Sequence, residues 1–219
     1  MKNINRLYRH LGKHILDLSL CAPALILMAP VMAVIALLVH VKIGSPVIFS
    51  QQRPGLNGKP FTLFKFRTMT NARDSHGNLL PDSERLTPMG RFLRRFSLDE
   101  LPELINVLIG DMSLVGPRPL LLDYLDRYST QQLRRHEVKP GITGLSQVNG
   151  RQRIPFSKRI ELDVEYVDNI RLGLDLKIVV LTIASVLRAQ GVILGQDVRE
   201  IDDLGLSQPL PAREKKSMK

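Results

Sequence analysis

One stretch constrains this chain more than any other. From Ile15 to Val41, "ILDLSLCAPALILMAPVMAVIALLVHV", there is one acid, Asp17, and no lysine or arginine. As a straight helix the run would reach about 40 Å, enough to cross a bilayer core of about 30 Å. Its flanks complicate a simple crossing. Lys2, Arg6, Arg9 and Lys13 precede it without an acid; Lys42, Arg53, Lys59, Lys65, Arg67 and Arg73 follow it before Asp74. Basic flanks favour the cytoplasmic side, and here both ask for it. Pro23 and Pro30 lie inside the run, where proline kinks a helix. A segment that enters one leaflet and returns satisfies both flanks; a span satisfies one. We therefore expect a re-entrant helix hairpin over residues 1–45, in place of a span or a buried soluble core helix. No small-residue cleavage site of a signal peptide is evident.

The formal charge of +10 over 219 residues points to anionic partners: phosphorylated small molecules, an anionic membrane or nucleic acid. With 5% aromatics and no Trp, the chain lacks the stacking platforms of a nucleic-acid module. A single cysteine, Cys21, excludes an internal disulfide and a cysteine-cluster zinc site. The five histidines show no ligand spacing.

Beyond the apolar run, Val47–Ser50 and Thr62–Met69 read as strands. In "TLFKFRTM" alternation turns Phe64 and Phe66 one way and Lys65 and Arg67 the other. "RPGLNGKP" is a turn, and residues 73–88 are a polar loop. Helices are expected over Leu98–Ile109, Leu120–His136, Ser157–Asn169 and Leu176–Ala189. The last is apolar enough to lie on a membrane surface. "KPGITGLSQVNGR" reads as a loop whose glycines form turns, and Glu103 and Asn106 as solvated or structural. Residues 46–200 form a cytosolic domain and 201–219 a disordered tail.

"RRFSLDELPELINVLIGDMSLVGPRP" (Arg94–Pro119) carries the chemistry. Ser97-x-x-Glu100 matches a helix capping box, and Asp99 suits an N-cap position. Against that plain reading, Arg91, Arg94, Arg95 and Arg118 surround a carboxylate pair at an expected helix start, which favours phosphate and would keep an attacking carboxylate ionised. A carboxylate can attack phosphorus to give an acyl phosphate, and Mg²⁺ takes few protein carboxylates beside phosphate oxygens.

"FKFRTM", the arginine–carboxylate segment and "HEVKPGITGLSQVNGR" resemble, in order, the sugar-transferase domain of bacterial monotopic phosphoglycosyl transferases, from about Lys13 to about Gly191. "PGLNGKPF", "GNLLPDSERL" and "GPRPLLLDYLDRY" resemble the minimal branch that transfers phospho-N,N'-diacetylbacillosamine in protein glycosylation. The resemblance implies an α+β, mostly helical monotopic protein with a small β element and interfacial amphipathic helices, on the cytosolic face of the bacterial inner membrane. It implies a UDP-sugar donor, a polyprenyl (undecaprenyl) phosphate acceptor, Mg²⁺, membrane lipid contact, no nucleic acid, and an early step of glycoconjugate biosynthesis; a homo-oligomer stays open. Asp99 would be the nucleophile and Glu100 the metal-holding partner. Lys65, Arg94, Arg118 and Arg151 would bind substrate. Ala29-Pro30 takes the place of the family's Ser-Pro kink. The alternative of another class is a basic peripheral membrane adaptor in which Asp99 and Glu100 only cap a helix.

Overall fold

A computed structural model describes residues 7–150, 153–188 and 201–207. Its first long element, α1, is one continuous helix, Lys13–Lys42, with Pro23 and Pro30 inside it. It follows a turn, Tyr8–Gly12, wound in the wider π form. The two-armed hairpin expected around Ala29-Pro30 is thus not a helix break. The backbone stays helical although each proline removes one hydrogen bond to the turn before.

α1 does not stand free. Its first half packs on one side of the body and its last turns on another. Near the start, the Lys13 ammonium donates to Tyr166 Oη and Asp175 Oδ2, both at 2.9 Å. Tyr8 donates to the same Asp175 oxygen at 2.6 Å. One turn on, Asp17 Oδ1 accepts from the Ser113 hydroxyl at 3.0 Å and the Leu114 N–H at 2.9 Å. Near the end, Ile35 and Val39 are buried with Phe66 and Leu93. The opposite face leaves Ile15, Ile26, Leu27, Val34, Leu37 and Val41 exposed. Among the described residues this is the one helix long and apolar enough to cross a membrane.

Two short sheets carry the rest. β1 (Ile48–Pro54) pairs antiparallel with β2 (Pro60–Phe66), from Ile48 opposite Phe66 to Pro54 opposite Pro60. Period-two alternation places Phe61, Leu63 and Lys65 on one face of β2; Phe61 and Leu63 pack with Leu104, Val107 and Met112. Arg67 falls just past the strand. It is buried and donates to the carbonyls of Ser45 and Met69, so it is not a solvated strand position.

β3 (Ser113–Val115) runs parallel to β4 (Gly141–Thr143), which lies inside the stretch read as a loop. Gly141 and Gly144 there serve close approach, not turning, whereas Gly150, at φ 132°, does lie in a turn. A Cβ on Gly141 would lie 2.0 Å from the Gly116 nitrogen.

Helices α2 (Pro88–Arg95), α3 (Glu103–Leu108), α4 (Leu145–Val148), α5 (Phe156–Asp168) and α6 (Leu172–Leu187) complete the body. α2 starts inside the expected loop's end, with Thr87 Oγ1 accepting from the Gly90 N–H. The single charged helix expected over Leu120–His136 is instead three short turns. Tyr128 is extended (ψ 138°), and the capping box of Ser129 and Gln132 starts a new turn there. Residues 201–207, read as the start of a disordered tail, pack against α5. Leu206 is buried beside Tyr124, Tyr128, Phe156 and Ile160, and Asp203 accepts from the Ser157 N–H at 3.0 Å. Residues 208–219 lie outside the described residues.

The Gly116–Gly141 approach yields a first prediction. Gly141→Ala should lower stability by ~3 kcal/mol, since backbone on both sides must move. A melting temperature equal to wild type would contradict the contact.

Candidate active site

The carboxylate segment reaches its geometry through a kink. After α2 ends, Ser97 adopts a left-handed conformation (φ 55°), uncommon for a residue with a Cβ. The chain then makes a 3-10 turn, Leu98–Glu100, passes Pro102 and enters α3 at Glu103. The expected Ser97–Glu100 capping box does not form: Ser97 makes no cap bond from its side chain, and Glu100 is turned toward cations. α3, with six residues, is also too short and starts too late to act as the anion-holding helix end.

Three carboxyl groups are buried instead of two. Asp99 and Glu100 are each 8% exposed and Glu103 is 2% exposed. Lys65, from the β2 face shared with Phe61 and Leu63, sits between two of them. Its Nζ lies 2.9 Å from Glu100 Oε1 and 3.0 Å from Glu103 Oε1. The Arg118 guanidinium donates to the same Glu100 oxygen. Arg118 is itself braced from behind: Arg135 donates to its carbonyl at 2.7 Å and to Asp163 at 2.6 Å, and the Ser146 hydroxyl donates to Asp163 at 2.8 Å. Arg94 donates to Thr68 Oγ1 at 3.1 Å, and its charge bears on Asp99.

The charges explain the ionisation. Burial, then the neighbouring Glu100, push the Asp99 carboxyl up; Lys65, Arg94 and Arg118 oppose them. Asp99 is therefore harder to ionise than usual, the reverse of what a positive helix end would do. Burial raises Glu103 to about 7, against the pull of Lys65. Burial works against the Lys65 ammonium, yet Glu100 and Glu103 more than offset it and hold its pKa above the ordinary value. Arg118 is raised chiefly by Glu100.

Beside this cluster lies a cavity of about 600 Å³, walled by Met28 of α1, Leu104 of α3, Ile142 of β4 and Val186 of α6, with Glu100 and Arg118 on its lining. Its size suits a small organic ligand. Glu100 reaches the lining; Asp99 lies off it, buried within the field of Lys65, Arg94 and Arg118.

The structure thus brings together Lys65, Arg94, Asp99, Glu100 and Arg118. Arg151 lies outside the described residues. Arg91 and Arg95 are elsewhere: Arg91 donates to the Leu86 carbonyl at 3.0 Å, and Arg95 rests on the Phe96 ring. Ala29-Pro30 adjoins Met28 on the cavity wall. The sequence reading missed Glu103. Its signal was present, since Glu103 follows Glu100 by three residues, the spacing that puts two side chains on one helical face. Asn106 is structural, its amide clasping β2 through the Thr62 carbonyl and the Phe64 N–H.

Comparison with known proteins identifies the family. A family model described as bacterial sugar transferase matches residues 8–189. The chain belongs to that family. An uncharacterized sugar transferase, EpsL, of Bacillus subtilis (strain 168) is 65% identical over 154 residues, covering 70% of this chain and 76% of that protein. A UDP-glucose:undecaprenyl-phosphate glucose-1-phosphate transferase of Xanthomonas campestris pv. campestris is 43% identical over 192 residues, 82% of this chain but 40% of that protein. The galactosyl transferase CpsE of Streptococcus agalactiae serotype III (strain NEM316) is 43% identical over 164 residues, 68% of this chain and 36% of that protein. The bacterial sugar transferase region is thus a part of the latter two, longer proteins. The sugars in these names are glucose and galactose.

A pH prediction follows from the buried acids. A carboxyl with a raised native pKa binds its proton more tightly folded than unfolded. The native state therefore loses relative stability as pH rises from about 4.5, the ordinary value, to about 7 for Glu103. Above that the loss is complete. His136 acts the other way, since burial lowers its imidazole from 6.5 to about 4 and stability from that group rises with pH up to about 6.5. The readout is therefore the difference: in denaturant titrations in metal-free buffer, Glu103→Gln should gain stability relative to wild type as pH rises from about 4.5 to 7. Parallel profiles of the two proteins would contradict the burial argument.

Proposed function

We propose that this sugar transferase moves a sugar 1-phosphate from a UDP-sugar to a polyprenyl phosphate, releasing UMP, through a phosphosugar held on Asp99. The observation that carries this reading is the buried Asp99–Glu100 pair set among Lys65, Arg94 and Arg118 beside a ligand-sized cavity. A pair that only capped a helix would have no use for three cations, and Ser97 makes no cap.

In this reading the Asp99 carboxylate attacks the sugar-bearing phosphorus. Lys65, Arg94 and Arg118 hold the phosphates and favour the ionised form of Asp99 against its burial. Catalysis is then largely positioning and charge neutralisation. Among the described residues no three acids, histidines or cysteines cluster as a resident metal site. That fits Mg²⁺, which binds through one or two carboxylates and substrate phosphates; Glu100 would hold it. When bound, the ion supplies further neutralisation of phosphate charge. The polyprenyl phosphate then attacks the Asp99-bound phosphorus and frees the carboxylate.

Membrane attachment follows from α1. Both its ends rest on the same body, and its outward face is apolar. α6 adds Leu172, Leu176, Val180, Ile183 and Leu187, all exposed. A helix anchored at both ends to one domain favours entry into a single leaflet, with the domain on the cytosolic face of the inner membrane. For the donor, UDP-glucose and UDP-galactose come first, and UDP-N,N'-diacetylbacillosamine next.

Intact-protein mass after incubation with Mg²⁺ and each donor, without lipid, should rise by one phosphosugar for the right donor. Asp99→Asn should abolish the adduct and lower turnover by roughly 10³-fold or more. An Asp99→Asn protein with full turnover would overturn the Asp99 intermediate, and a folded wild type without turnover on any donor would leave the adaptor reading standing. For topology, single cysteines at Leu7 and Ser45, with Cys21→Ala, should both react from the cytosolic side. Labelling of the two from opposite sides would overturn single-leaflet entry.

A further inference from the structure

A second group of positive charge lies beside the site and has no role in the reading above. Arg53 is near the end of β1, and the next residue, Pro54, packs with Pro117, Arg118 and Pro119 around a small gap. Arg159 stands one turn before Asp163 on α5, so the two share a helix face. Asp163 is held by Arg135, which also grips the Arg118 carbonyl. Arg53 stands opposite Phe61 and so shares the sheet face that carries Lys65; Arg118 thus has both Arg53 and Arg159 in its neighbourhood, and its charge bears on each.

The three arginines differ in how they are satisfied. Arg118 has Glu100. Arg53 donates to Gln51 Oε1 at 2.7 Å, and Arg159 to the Ile154 carbonyl at 2.9 Å; neither has an ion-pair partner among the described residues. Arg53 Nε and one terminal nitrogen of Arg159 are buried without an acceptor. Buried N–H groups left so cost stability and need a reason, all the more when like charges crowd together. Burial, then Arg118, pull Arg53 down to about 10 and lower Arg159 as well, while Tyr124 and Glu103 favour the Arg53 cation and Asp163 the Arg159 cation without offsetting the loss. A compact polyanion would supply what both guanidinium groups lack.

We propose that Arg53 and Arg159, near Arg118, form a subsite for the phosphate of the departing nucleotide. This rests on the proposed function, which puts two linked phosphates at the site. When an Asp99 oxygen bonds to the sugar-bearing phosphorus, the bond from that phosphorus to the bridging oxygen breaks. Its electron pair leaves on that oxygen, so the UMP phosphate gains one negative charge. Arginines placed there meet charge that grows during the step, and so act on kcat more than on KM.

Arg53→Met and Arg159→Met test this, since Met keeps most of the apolar stem. Calorimetric UMP binding to the purified full chain should weaken about tenfold or more in each variant, as expected for a lost charged hydrogen bond. Turnover should fall more than KM rises. The melting temperature should hold or rise, because an unsatisfied buried charge is gone. UMP affinity and kcat within twofold of wild type, or a lowered melting temperature with UMP affinity kept, would overturn the subsite. Failure of the wild type to release UMP from any donor would count against the proposed function instead; inorganic pyrophosphate then serves as the probe, and equal binding by wild type and variants would overturn the subsite too.

Discussion

The Lys65 ammonium, held between Glu100 and Glu103, is the contact on which the site depends. Three buried carboxyl groups within five residues would repel one another and resist ionisation in a low-dielectric setting. Lys65 from β2 and Arg118 from the segment after β3 make the cluster tolerable. Neither cation is near the acids in sequence. The hairpin must therefore dock on α3 for the acids to be charged at all, and Asn106 fixes that docking by binding the β2 backbone on both a carbonyl and an N–H.

The same economy of buried polar groups ties the apolar helix α1 to the candidate site. Asp17 of α1 satisfies Ser113 and Leu114 at β3, two residues before the Gly-Pro-Arg-Pro segment that carries Arg118. Lys13, Tyr8, Tyr166 and Asp175 form a second knot at the root of the helix. Met28 then walls the cavity that Glu100 and Arg118 line. A helix with an apolar outer face is thus built into the wall of a charged site. In the proposed function, such an arrangement lets a lipid-borne phosphate and a water-borne donor meet in one place.

Some of this was legible from residue order and some was not. Alternation in "TLFKFRTM" correctly set Lys65 apart from Phe64 and Phe66, because a strand's period of two leaves no choice. It failed at Arg67, where the strand had ended. The spacing of Ser97 and Glu100 suggested a cap, but the left-handed turn at Ser97 and the pull of Lys65 and Arg118 took Glu100 elsewhere. Residues 120–136 have the charge pattern of one helix, yet Ser129 and Gln132 close a box that restarts the chain. Glu103 read as solvated or structural, and not as part of the site, because its partner Lys65 is 38 positions away in the chain.

The amino-acid order alone determined the long apolar helix with basic flanks, the paired carboxylates among arginines, and the membership they share with the bacterial sugar transferases. Those features depend on composition and on neighbours close in the chain. Tertiary structure decided which charges are neutralised, that a third acid joins the pair, that α1 is held at both ends by one body, and that Arg53 and Arg159 come near Arg118. Each of those is a contact between distant segments, and the energy of burying a charge depends on what the fold places beside it.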